Sequence, residues 1–212
     1  MTTHLGLQRI MIPSAQVSSL TTGSITLPSA RGAFSQPTLA FESISTTTGS
    51  GGSFTISSIP QTFTHLRVHI AIESTRSDSL DGAAIRFNGD SGSNYYGHSY
   101  YAEQFSGVSG AAIPTGGGGA SSRALIPTAY LTAANQPTLS TTSITDIYNY
   151  SSTTKNKSWL GSGGMTSINN QSSWQAIGTG VWNSTTAISS LTFTMDYGGS
   201  FTRTYIHLYG VK

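Results

Sequence analysis

The sequence predicts an all-β protein: an antiparallel β-sandwich, jelly-roll-like, preceded by an extended N-terminal arm. Three observations predict it. From Phe41 onward, short apolar stretches alternate with period two between clusters of Gly, Ser, Asn and Asp. No stretch keeps a helical period with capping residues, while β-branched and aromatic residues are plentiful. The first forty residues show neither period and are interrupted by Pro13, Pro28 and Pro37. The expected division is an arm over residues 1–40 and a sandwich over residues 41–212.

The arm carries Leu5, Leu7, Ile10, Ile12, Leu20, Ile25 and Leu27 in short clusters. An apolar arm left in water is unfavourable, so these side chains are expected to dock on a partner subunit or wrap a sister chain. Packing on its own domain and a disordered tail are the plainer alternatives. In the sandwich, Thr46–Ser53 reads as a polar loop, followed by a short strand at Phe54–Ser57 and a turn at Pro60. Leu66, Val68, Ile70 and Ile72 then share one face of a longer strand, with His65, Arg67 and His69 on the other. A strand over Ala83–Asn88 and one over Tyr95–Gln104 flank "NGDSGSN", where Asn-Gly is a strong signal for a type I′ hairpin turn.

A glycine-rich surface loop is expected over Ser106–Ser122. "RALIPTAYLT" reads as an edge strand or bulge because of Pro127. "TTSITDIYNYSS" alternates Ile144, Asp146, Tyr148 and Tyr150 against Thr145, Ile147 and Asn149. "KSWLGSGG" reads as a short strand followed by a polar loop over Ser162–Ser173. "WQAIGTGVWN" sets Ile177, Thr179 and Val181 against Ala176, Gly178, Gly180 and Trp182. "ISSLTFTMDY" points Leu191, Phe193 and Met195 inward, and "FTRTYIHLYGVK" sets Ile206 and Leu208 opposite Tyr205, His207 and Tyr209. About eight to ten strands in two sheets follow from this spacing.

Composition narrows the function classes. Only 8% of the 212 residues are charged, against about 25% in an average globular domain. Such a surface suits a protein packed among neighbours or living outside a cell. The arginines are scattered and the net charge is +2, which lacks the basic stripe of a nucleic-acid interface. The absence of cysteine removes disulfides, thiolate metal sites and a cysteine nucleophile. "MTTHLGLQRIMIPSAQ" does not have the form of a secretory signal, and no apolar run reaches the length of a membrane span.

Few residues offer chemistry. His65 and His69 share a face but stand about 13 Å apart along the strand, too far to chelate one ion together; His98 or His207 would have to join from another strand. Asp78 and Asp81 lie near enough in sequence for a glycosidase pair, although loop aspartates more often bond nearby backbone. Asn88, Asp90, Ser91 and Asn94 offer oxygens to calcium, with a single carboxylate where tight sites have several. No catalytic residue, metal or cofactor is assigned. Aromatic residues are the better candidates. Tyr96, His98 and Tyr100 fall on one face of their strand and Tyr95 and Tyr101 on the other. One face reads as core and the other as a subunit contact or a sugar-stacking surface. Trp174, after "NNQSS", reads as an exposed aromatic in a polar loop. The candidate glycan contacts are thus Trp174, Tyr96, Tyr100 and His98.

"FESIST", "GSGGSFTISSIPQTFTHLRVHIAI", "IRFNGDSGSNYYGHSYY", "ITDIYNYSSTTKNKSW" and "IHLYGVK" occur in that order over residues 41–212. This series resembles a recurrent domain of tailed-bacteriophage virion proteins of the tail-fibre-like and head-decoration-like kind, and "GSITLPSARGAF" resembles their short leader segments. The resemblance implies a β-sandwich displayed on the virion surface, often as a homo-oligomer; a homotrimer is the expectation from fibre-like proteins. Its partners would be other virion proteins and itself, with no nucleic acid and no membrane insertion. The expected function is a structural one, as a capsid decoration, head fibre or tail appendage attached through the arm. A host-glycan-binding adhesin is the alternative, and a glycan-degrading enzyme the remoter one.

Overall fold

The computed structural model describes residues 40–76, 81–104, 112–115, 120–125, 141–166 and 173–212. The expected arm, with Leu5, Leu7, Ile10, Ile12, Leu20, Ile25 and Leu27, lies outside the described residues, as does Asp78. The described residues belong to one unit, Leu39–Lys212, and among them there is no helix. The described residues hold twelve strands: β1 (Phe41–Gly51), β2 (Ser53–Ile56), β3 (His65–Ser74), β4 (Ala83–Phe87), β5 (Tyr95–Gln104), β6 (Ala112–Thr115), β7 (Ala124–Leu125), β8 (Thr141–Tyr148), β9 (Lys157–Thr166), β10 (Ser173–Trp182), β11 (Leu191–Met195) and β12 (Phe201–Val211).

They pair into two antiparallel sheets. The large one runs β1-β12-β3-β8-β9-β10-β5-β6 and the small one β2-β11-β4-β7. The pairing is nested: β1 with β12, β2 with β11, β3 with β8, and β4 with β7. Phe41 thereby sits opposite Val211. Strands β9, β10, β5 and β6 widen the large sheet beyond β8.

The alternation read in β3, β11 and β12 is the alternation observed. Leu66, Val68, Ile70 and Ile72 of β3, Leu191, Phe193 and Met195 of β11, and Ile206 and Leu208 of β12 are all buried in one core between the sheets. An aromatic cluster closes that core at one end. The Phe87 ring lies 5.6 Å from Tyr95, 6.1 Å from Trp159 and 5.5 Å from Trp182. Trp159 lies across two glycines: a Cβ at Gly180 would come within 2.1 Å of its ring, and one at Gly97 within 3.2 Å.

Several sequence expectations need correction. Thr46–Ser53 is not a loop, because β1 reaches Gly51 and pairs with β12 along its length. That stretch has no apolar alternation to read; β-branched Thr46, Thr47 and Thr48 tolerate extension, and the neighbouring strand supplies the ladder. The glycine-rich loop over Ser106–Ser122 contains β6, paired with β5. The polar loop over Ser162–Ser173 is shortened from both ends, since β9 runs to Thr166 and β10 begins at Ser173. Most of "RALIPTAYLT" lies outside the described residues, which retain β7 alone.

The turn after β4 has the chemistry expected but a different use. Asn88 and Gly89 have φ of 53° and 69°, and Asp90 N–H bonds Phe87 C=O at 2.9 Å, as a type I′ turn requires. Yet β4 and β5 are not a hairpin. β4 belongs to the small sheet and β5 to the large one, so the segment carries the chain between layers. Asp90 fixes this crossing. Its carboxylate accepts from Gly92 N at 2.8 Å, Asn94 Nδ2 at 2.9 Å and Trp182 Nε1 at 2.7 Å. Partial burial pushes its pKa up, but the three donors together outweigh this and hold it below the ordinary value.

Two substitutions test this account by chemical denaturation. Gly180→Ala should cost about 1–3 kcal/mol by overpacking against Trp159. Asp90→Ala should cost about 1–3 kcal/mol, because it leaves the buried Trp182 indole N–H without its charged acceptor.

Candidate functional site: the open face of the large sheet

Residues that pair across successive antiparallel strands point to the same face, so the register maps the outer face of the large sheet. One row runs His207, His69, Ile144, Ser162, Ile177, Tyr100. The next runs Tyr209, Arg67, Asp146, Leu160, Thr179, His98. A third carries Tyr148, Ser158, Val181 and Tyr96. The strands thus place Tyr96, His98 and Tyr100 in one exposed column on β5, while Tyr95 of the same strand is fully buried.

The inner and outer faces of this half of the sheet are inverted relative to the usual pattern. Inward positions hold Ser143, Thr145, Gly161, Gly163, Ala176 and Gly178, whereas outward positions hold Ile144, Leu160, Ile177 and Val181. Those four are 45%, 46%, 50% and 39% exposed. Of the nine large hydrophobic side chains that stand exposed among the described residues, only Tyr197 lies off this face; Phe41, Tyr96, Tyr100 and Tyr205 complete the set on it. A single exposed apolar residue is ordinary, but a contiguous group marks a contact surface.

The β12–β3 side of the face is polar and internally bonded. The His207 ring stacks on Tyr209 with centroids 4.2 Å apart and planes at 13°. Ser43 Oγ lies 2.9 Å from His207 Nε2, and the Tyr205 and Tyr209 hydroxyls lie 3.3 and 3.2 Å from Nδ1. Arg67 clamps Asp146 through two bonds of 2.6 and 2.7 Å. The hydrogen bond to that carboxylate raises the Arg67 pKa. His69 packs against Tyr209, and its Nε2 is buried without a partner. Desolvation first, then the neighbouring Arg67 and His207, lowers its pKa.

The sequence-predicted ligand sets are not assembled. His65 receives the Asn149 N–H at Nδ1, 3.1 Å away, and packs on Tyr148. His69 pairs across strands with His207, and His98 stands at the far side of the sheet. Among the described residues no group of three or more His, Asp or Glu side chains gathers to hold a metal ion. Asp90 spends its oxygens on the donors given above, and Asn88 Oδ1 accepts from Ser189 and Ser190 N–H at 2.8 and 3.1 Å. Asp81 is buried, accepting from Ser74 Oγ, from Gly82 N at 2.9 Å and from Tyr197 N at 3.1 Å. A Cβ on Gly199 would come within 2.1 Å of that carboxylate, so the loop is closed over it. Trp174 is not in a loop. It lies in β10, in register with Glu103; its side chain lies outside the described residues.

Two features escaped the sequence reading. One is the outward aliphatic row, for which the alternation of glycine with Ile and Val in β10 was the available signal. The other is Lys157, which is fully buried. Its ammonium donates to Ser152 O at 2.6 Å, Lys155 O at 2.9 Å and Ser184 O at 3.5 Å, and lies 6.0 Å from the Trp182 ring. Burial lowers its pKa. It fastens the turn between β8 and β9 and has no substrate-facing surface.

No protein-family model, no curated protein and no solved structure matches this chain.

The lowered His69 pKa has a pH consequence. Above the unfolded value, about 6.5, the ring is neutral in both states. As pH falls through that value the unfolded chain binds a proton that the fold resists, so stability is lost on acidification. Comparing urea midpoints of the parent and His69→Gln between about pH 7.5 and 5.5 should show a shallower fall in the variant.

Proposed function

We propose that this chain is a structural protein displayed on the surface of a bacteriophage particle, attached through residues 1–40 and not catalytic. The observation that carries the reading is the open face of the large sheet, which presents a group of exposed apolar and aromatic side chains, while its Arg67 and Asp146 are spent on each other. The resemblance of residues 41–212 to tailed-bacteriophage virion domains supports the proposed location. The jelly-roll reading is supported by the nested pairing of β1–β12, β2–β11, β3–β8 and β4–β7, the arrangement two Greek keys produce when eight strands fold into two sheets. The low charge fits a surface shared with neighbours. Against hydrolysis of a glycan, the carboxylates of Glu42, Glu73, Asp81, Asp90, Asp146 and Asp196 each have a partner within the fold. A free pair flanking a cleft is what that chemistry needs.

A specific observation favours a second role on the same particle. Tyr96, His98 and Tyr100 stand exposed two residues apart on β5, about 6.6 Å apart along the strand backbone. Aromatic faces with polar tips at this spacing suit stacking on successive sugars. Host-glycan contact through this column is the alternative use of the face, open to a chain in which no second copy covers it.

The test is incorporation. Particles from cells infected with a phage encoding the chain should contain it by mass spectrometry after density-gradient purification. A chain lacking residues 1–40 should fold, as judged by far-ultraviolet circular dichroism, and be missing from particles. A truncated chain that assembles normally would remove the anchoring role; a full chain absent from particles would remove the whole reading.

A further inference from the structure

We infer that the outer face of the large sheet is a self-association surface, covered by the same face of a second copy of this chain. The inference rests on reading that face as a contact surface and names its occupant. Ile144, Leu160, Ile177 and Val181 project outward from β8, β9 and β10, and from Ser143 to Thr145, Gly161 to Gly163 and Ala176 to Gly178 the inward positions hold only glycine, alanine, serine and threonine. In a two-layer protein facing water this arrangement wastes the apolar side chains. In a stack where the large sheet has a layer on each side, both faces are interior, and the outward aliphatics become core.

Three properties of the face fit a second copy. The first is size. Eight strands at about 4.8 Å spacing and about eight residues of length at 3.3 Å give a face of about 900 Å², close to the roughly 800 Å² that each partner contributes to a stable interface. The second is charge. The arginines placed on this face are paired with carboxylates of the same chain, Arg67 with Asp146 and Arg203 with Glu73. The face is thus neutral, and an identical face brings no net like-charge repulsion, whereas a strongly charged partner would find nothing to match. The third is the chemistry at the centre of the face. Ile144, Leu160 and Ile177 offer no hydrogen-bonding group, so they suit the flat apolar face of a sheet better than a sugar, whose hydroxyls need polar partners.

Sedimentation velocity of the full chain over about 1–100 µM tests this, with dissociation constants in that range readable directly. The parent chain should associate. Leu160→Lys and Ile177→Lys, both at outward positions, should each weaken association at least about tenfold, equivalent to about 1.4 kcal/mol. Tyr197→Lys, exposed but off this face, should leave it unchanged. Circular dichroism and the thermal midpoint of each variant separate loss of association from loss of folding, and having two variants keeps the test intact if one does not fold. A parent chain that stays monomeric at the highest concentration overturns the inference, as does association that both lysine variants leave intact. A monomeric chain that still enters purified particles overturns self-association alone and leaves the proposed function standing, since another virion protein then covers the face.

Discussion

An aromatic cluster at one end of the shared core fixes how the two sheets cross, and much of the molecule is arranged around it. Phe87 comes from the small sheet; Tyr95, Trp159 and Trp182 come from the large one. Edge-to-face and offset contacts of this kind add specific geometry to a large burial of apolar area. The cluster fits only because Gly97 and Gly180 leave backbone bare beneath the Trp159 ring. Polar atoms within it are satisfied as well. Tyr95 Oη accepts the Phe87 N–H at 2.9 Å and donates to Asp90 O at 3.1 Å, while Asp90 takes the Trp182 indole. Burial pushes the Tyr95 hydroxyl up to about 12, so it remains a donor throughout the physiological range. The crossing between layers, the turn and the core are therefore one structure.

That dependence explains the division of labour along β9 and β10. At the Trp159 and Trp182 end, the inward positions are filled by the largest side chains in the sequence. Further along, the inward positions shrink to glycine, alanine, serine and threonine, and the apolar side chains pass to the other face. Ser143 Oγ and Thr145 Oγ1 are buried there without hydrogen-bond partners, at a cost the fold must absorb elsewhere. The sheet is thus a conventional core at one end and carries its apolar content outward at the other. The polar pairs at β3 and β12 then give the outer face a defined, uncharged texture.

Where the sequence was legible, it was because one face alone was apolar. β3, β11 and β12 declared their inward residues by period two, and the observed core contains them. The Asn88-Gly89 turn was legible because few residues adopt positive φ cheaply. What it joined was not legible: turn chemistry fixes local reversal, and which sheet receives the next strand depends on Tyr95 and Trp182 arriving from distant segments. β1 was missed since a Ser/Thr/Gly strand at a sheet edge has no burial pattern to display. For β10, both faces of "AIGTGVW" carry apolar residues, so alternation marked two sides without telling which was inside. Tyr96, His98 and Tyr100 were separated correctly from Tyr95, while Trp174 was misplaced because the polar run before it hid the start of a strand.

The nested pairing has a consequence for how the molecule comes into being. β12 lies between β1 and β3, yet every other strand precedes it in the sequence. While a ribosome is still making the chain, β1 has no neighbour on the sheet and the large layer stands divided. Six strands of the large sheet can pair before then, but β1 must wait for β12 to emerge. Pairings between residues so far apart in sequence close slowly, and strand edges left open in the meantime invite mispairing. The absence of cysteine and of long apolar runs in the earlier strands suits a polypeptide that has to survive that interval.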